Sequence, residues 1–136
     1  MTLRASAVLA IQAGATVLAI ASVYIAVAPV SASESDKPLG DPTRGKTVYQ
    51  VCMGCHSLDD DDVGPRHRGV VGRPAGTVAG YAYSPALRNS HIVWDRDTLD
   101  RWLTSPQALV PGAKMFFAMP NAQDRADVIA YLSEQR

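Results

Sequence analysis

The chain is short of several things, and each shortage removes a class of function. It has two cysteines, so a four-cysteine zinc site is excluded by count. It has no stripe of basic residues: 13 Lys and Arg are balanced by 13 Asp and Glu. Nucleic-acid binding therefore has no electrostatic support. No alternation of strand and helix patterns surrounds the cysteines, which a thioredoxin-like redox pair would need. Internal repeats are lacking too. Aromatic residues make up 7% of the chain, which predicts a small core for a domain near a hundred residues.

One long stretch lacks charge altogether. Residues 5–30 carry no charged side chain, and Arg4 precedes them. Such a run is long enough to span a bilayer, and longer than the usual apolar part of a secretory signal. Pro29 breaks a helix just before Val30-Ser31-Ala32, whose small residues suit a signal peptidase. Two readings stand: a signal peptide over 1–32 cleaved after Ala32, or an uncleaved membrane anchor. Residues 33–40 then form a short linker to a domain over 41–136. Both readings place that domain outside the cytoplasm, in the bacterial periplasm, either soluble or tethered to the inner membrane. Without Arg4 the balance is 12 basic against 13 acidic residues, a charge of −1.

What is present is concentrated in Cys52-Met53-Gly54-Cys55-His56. Two thiols three positions apart can add across both vinyl groups of one porphyrin, and the following histidine is placed to bind its iron. A disulfide between the two thiols is the competing expectation in an oxidising compartment. A metal site using His67 or His91 as a distant partner matches no common spacing.

The rest of the domain reads as all-α, with short helices and long loops. Asp41-Pro42 is an N-cap followed by a proline at the first helical position. That helix is predicted to run through Gly45, Val48 and Tyr49 into Cys52. Gly45 shares a face with Tyr49, and its missing side chain lets another helix approach. Residues 57–80 hold five glycines and two prolines and read as loop. Ser84-Pro85 starts a short helix through Arg88. Asp95 or Asp97 caps another over 98–104, ended by Pro106, and Pro111-Gly112 makes a turn. After Pro120-Asn121 comes the clearest helix, with Val128, Ile129 and Leu132 as its apolar stripe and Tyr131 beside it. Loops this long in a compact domain need something to wrap, and a buried haem supplies it.

These features together resemble class I cytochromes c over residues 41–135, in the bacterial branch that is similar to the mitochondrial carrier. The matching segments are Gly45-Lys46-Thr47-Val48-Tyr49, the Cys52–His56 motif, Val63-Gly64-Pro65 and Gly69-Val70-Val71-Gly72-Arg73. They continue with the Trp94 to Leu103 stretch, Pro111-Gly112-Ala113-Lys114-Met115, and the segment from Asp124 to Leu132. The resemblance implies one covalent haem c on Cys52 and Cys55, with its iron held by His56 through the outer ring nitrogen. It implies that the Pro65 carbonyl accepts from the other ring nitrogen. Met115 is the implied sixth ligand. Met119, followed by Pro120, is the competitor, because Met-Pro pairs carry the axial sulfur in other small cytochromes. Met53 lies inside the attachment loop and is set aside.

The same resemblance assigns Tyr83 and Trp94 to a haem propionate and Arg73 to its charge. Trp102 departs from the pattern, standing where mitochondrial carriers have a tyrosine that reaches the axial sulfur. Leu87 and Ala113 replace polar residues of that distal network. His67 takes a leucine-like position and reads as a partly exposed loop residue, with a surplus ligand as the other reading. Asp59 to Asp62 read as a solvated turn.

With both axial positions filled, the implied function is one-electron transfer rather than enzyme catalysis. Implied partners are a quinol-oxidising complex and a terminal oxidase or dehydrogenase, met by a monomer. Lysine is scarce, at Lys37, Lys46 and Lys114, so cationic steering is weak. Two alternatives stand beside this: a dedicated electron-accepting subunit of a periplasmic dehydrogenase, or a haem enzyme or ligand sensor if Met115 detaches easily.

Overall fold

The structure, a computed structural model, describes residues 37–136. The signal or anchor segment and the cleavage position after Ala32 lie outside the described residues. Among the described residues no helix is long and apolar enough to cross a membrane.

The described residues form five α-helices joined by long loops: α1 (Pro42–Val48), α2 (Pro85–Arg88), α3 (Arg96–Thr104), α4 (Pro106–Leu109) and α5 (Ala122–Glu134). Among the described residues, extended pairing is confined to one isolated bridge between Pro74 and Val93. Each helix begins where a short polar side chain can take up orphan backbone N–H groups. Asp41 accepts from Thr43 and Arg44, Ser84 from Leu87, and Asn121 from Asp124. Asp95 and Thr98 form a reciprocal capping box at α3, which decides between the two caps the sequence offered.

Three helix boundaries differ from expectation. With Asp95 as its cap, α3 starts at Arg96, two residues before the start read from sequence. The first helix does not stay α-helical to Cys52; it tightens into a 3-10 turn over Tyr49–Val51. Tightening brings Cys52 into the turn that carries the haem motif, with the Cys55 and His56 N–H groups both donating to the Cys52 carbonyl, at 3.0 and 2.9 Å. Pro106 ends α3, as read from sequence, but it also opens α4, capped by Ser105. Proline suits a first helical position as well as it suits a stop.

The fold is fastened where α1 meets α5. A Cβ on Gly45 would overlap the carbonyl carbon of Asp127 at 2.6 Å and lie 2.9 Å from the Tyr131 Cβ. Glycine is required there because backbone meets backbone. Asp127 is fully buried, yet its carboxylate is satisfied by the Asp41 N–H (2.8 Å), the Gln123 amide (2.8 Å) and the Arg44 guanidinium. Burial alone would raise its pKa; those three donors hold it below the ordinary carboxylate value. Val128, Ile129 and Leu132 turn from α5 into the core, together with Leu99, Trp102 and Leu103 of α3.

Candidate functional site

The core opens into an apolar cavity of about 290 Å³. Helices α3 and α5 supply one part of its wall through Leu99, Trp102, Leu103, Val128 and Leu132. The loops, with Val51 of the 3-10 turn and Leu87 of α2, supply the rest, and the residues that the resemblance assigned to the haem lie on it. Cys52, Cys55, His56, Pro65, Arg73, Tyr83, Trp94, Trp102 and Met115 all line this one cavity. The choice between the two methionines is also spatial. Met119 is buried in the core, 5% exposed, with its N–H bound to the Leu103 carbonyl at 2.7 Å. It is not part of the cavity wall.

His56 is held by one short hydrogen bond. Its Nδ1 lies 2.7 Å from the Pro65 carbonyl, which can only accept, so Nδ1 carries the proton. The other nitrogen, Nε2, is therefore the one with a lone pair to offer a metal. Burial lowers the pKa of this imidazole, opposed by the Pro65 carbonyl and by Asp62. The loop that delivers Pro65 comes close because Gly64 has no side chain; a Cβ there would collide with the His56 ring. The Gly64 N–H closes the loop onto the Cys55 carbonyl at 2.6 Å. The haem motif and Gly64-Pro65 thus form one unit, although Gly64 lies nine positions after Cys55 in the chain.

The two thiols are unpaired, Cys52 half-buried and Cys55 exposed. Burial, with a contribution from Cys55, pushes the Cys52 thiol up to about 11. It is a neutral thiol at physiological pH, without the electropositive surroundings of a reactive thiolate.

Met115, also on the cavity wall, sits half-buried on the loop after α4. Gln107 brackets that loop, a role sequence reasoning did not find. Its side-chain amide donates to the carbonyls of Ala113 (2.8 Å) and Met115 (2.9 Å), while its oxygen accepts from the Gly112 N–H (3.3 Å). The one available signal was a polar residue after Pro106 in an otherwise apolar helix.

Arg73 lies partly buried with two of its guanidinium N–H groups on the Arg68 and Arg66 carbonyls, at 3.1 and 2.8 Å. Burial draws its pKa down. Trp94 and Trp102 are buried neighbours, ring centroids 5.3 Å apart. Leu87 joins the wall, as Phe116 and Phe117 do at its exposed side. The acidic turn is exposed and pairs outward, Asp59 with Arg68 and Asp61 with Arg66.

His67 is not simply a loop residue. It is half-buried, lines the cavity, and stacks on His56 with ring centroids 4.1 Å apart and planes 21° from parallel. Burial, then the neighbouring His56 and Arg73, pushes its pKa down to about 3, so the ring is neutral at physiological pH. The Tyr49 hydroxyl is 3.1 Å from its Nδ1.

The donor set is chemically coherent with a covalently held haem. Two thiols, an imidazole with its tautomer fixed and a thioether converge on one apolar cavity, and a guanidinium stands ready for carboxylates.

Comparison with known proteins bears on the same residues. The family model described as cytochrome c matches residues 42–136. Cytochrome c2 of Rhodomicrobium vannielii is 46% identical over 107 residues, covering 76% of this chain and 86% of that one. Among solved structures, cytochrome cH from Methylobacterium extorquens superposes with a TM-score of 0.67 at 41% identity, covering 69% of this chain and 98% of the other. Ferricytochrome c2 from Rhodopseudomonas palustris gives 0.67 at 38% identity, covering 71% and 99%.

Proposed function

The chain belongs to the cytochrome c family, and from that premise we propose how its own residues hold the cofactor and where it works. Membership makes it an electron-transfer protein with one covalent haem c, not an enzyme. When bound, the haem supplies a reversible one-electron couple at its iron.

In the proposed arrangement Cys52 and Cys55 form the two thioether links. His56 binds the iron through Nε2, and the Pro65 carbonyl keeps that imidazole oriented and electron-rich. Met115 is the sixth ligand. A thioether is soft and favours the reduced metal, so this pairing raises the potential relative to two imidazoles. Arg73, Tyr83 and Trp94 face the propionates, and Trp102 takes the distal position beside the sulfur. The observation that carries the reading is the convergence of both thiols, His56 and Met115 on one cavity wall, with the His56 tautomer already set.

We place the domain at residues 41–136 in the bacterial periplasm, behind a signal or anchor over 1–32 and a linker over 33–40. Its partners are a quinol-oxidising complex on one side and a terminal oxidase or dehydrogenase on the other. The absence of a lysine ring means that docking leans on shape and apolar contact more than on charge.

A visible spectrum of the purified, matured protein tests this. Sharp c-type bands on reduction and a weak far-red sulfur-to-iron band on oxidation are expected. Met115→Ala should lose the far-red band and Met119→Ala should keep it; the reverse pattern would move the ligand to Met119. Haem that extracts into acid acetone would refute the thioether links.

A further inference from the structure

The second histidine of the cavity has no role in the arrangement above, and its surroundings suggest one. We propose that His67 is a positioning residue for the axial imidazole: its ring, seated on the face of His56 and tethered by Tyr49, fixes the plane of His56 and lowers the reduction potential relative to an apolar side chain at that place. This rests on the reading of His56 as an iron ligand.

A single hydrogen bond fixes one atom of a ring but leaves the ring free to tilt and turn about it. His56 has that one bond, at Nδ1, to Pro65. The face of His67, 4.1 Å away and nearly parallel, supplies the second restraint. A restraint is useful only if it is itself held, and His67 is held at both ends. Its backbone N–H donates to the Ser57 carbonyl at 2.9 Å, and its Nδ1 meets the Tyr49 hydroxyl at 3.1 Å. Tyr49 is 3% exposed, anchored beside α5 with its ring 5.3 Å from that of Tyr131. A line of contacts therefore runs from α5 through Tyr131, Tyr49 and His67 to His56.

The same tether explains why a surplus histidine in this cavity need not compete for iron. With the phenol as the donor to Nδ1, one of the two arrangements this 3.1 Å contact allows, the neutral ring carries its own proton on Nε2 and has no free lone pair left to bind a metal. What remains is a polar, flat side chain in the wall. Oxidised haem carries one more positive charge than reduced haem, so a polar wall favours the oxidised form and lowers the potential.

The test uses the full chain matured with haem and three variants: His67→Leu, His67→Phe and Tyr49→Phe. Two measurements are made on each, the midpoint potential and the haem-methyl proton shifts of the oxidised form, which report the plane of the axial imidazole. The far-red band is followed to show that Met115 ligation is intact. In His67→Leu the potential should rise and the order or spread of the methyl shifts should change. His67→Phe keeps a flat face, so its methyl pattern should stay close to that of the unsubstituted protein while the potential still rises. Tyr49→Phe should shift both readouts in the His67→Leu direction by a smaller amount. Unchanged potential and methyl shifts in His67→Leu overturn the proposal. If that variant does not mature, unchanged readouts in Tyr49→Phe overturn it instead. A failure of the underlying assignment looks different: the unsubstituted protein would itself lack a low-spin spectrum with an axial imidazole, which ends both.

Discussion

The α1–α5 crossing and the loop that carries Met115 are built on opposite plans. At the crossing, backbone lies against backbone, Gly45 has no room for a methyl group, and the buried Asp127 has a donor for each oxygen. In the Met115 loop, the chain is held through the three hydrogen bonds of Gln107, a half-buried side chain that water can replace. The first region resists any change of volume. The second can be loosened one bond at a time. Opening for ligand exchange is therefore expected on the methionine side, while the crossing keeps the global fold.

That contrast can be broken most forcefully at Gly45. Gly45→Ala forces a Cβ into the Asp127 carbonyl, and neither backbone can retreat without separating the helices. The expected cost lies at the upper end of the about 1–3 kcal/mol typical of overpacking. It is read as a fall in thermal midpoint of the haem-loaded protein, with the far-red band intact below the transition.

Asp127→Asn sharpens the same region through pH. The unfolded carboxyl takes up a proton near about pH 4, whereas the folded one stays charged to lower pH. Below that point the unfolded state binds more protons, so stability is present above it and lost as the pH falls through the folded value. The asparagine variant should melt several degrees lower at neutral pH and lose less stability than the native chain on acidification. Melts recorded from pH 7 down to 3 check this.

The smallest expected effect, and the most selective, is at Gln107. Gln107→Ala removes three bonds worth about 0.5–1.5 kcal/mol each before water replaces them. Allowing for that replacement, imidazole should bind the oxidised protein roughly tenfold more tightly, the equivalent of about 1.4 kcal/mol. The thermal midpoint should scarcely move. Equal losses of thermal stability in Gln107→Ala and Gly45→Ala would erase the distinction between the two regions.

Local chemistry made much of this legible in advance. Asp41, Ser84, Asp95 and Asn121 act on N–H groups two or three residues away, so their caps could be read in place. Gly45 betrayed the helix contact because an unfilled position on an otherwise packed face implies a close neighbour. The haem motif and the lining residues followed from spacing and resemblance. What escaped was non-local. Gln107 reaches six and eight residues along a bent loop, a distance that no helical period encodes. His67 reads as a loop residue in the sequence because its two partners, Tyr49 and His56, lie 18 and 11 positions back and meet it only when the loop folds over. The tightening before Cys52 was missed for a related reason: the sequence there is still compatible with a helix, and the haem-motif turn ends it.

The crossing also has a meaning for the chain as a whole. The helices that grip each other stand at the two ends of the described domain, with Arg44 reaching Asp124 and Asp127 across 80 and 83 positions. Everything between them is a single closed circuit fastened at its origin. A cut in the glycine-rich stretch from 57 to 80 would open that circuit without unfastening it. The two pieces, one with α1 and the haem motif, the other with α2 to α5, would find and hold each other as a non-covalent pair, because the clasp lies outside the part that was cut.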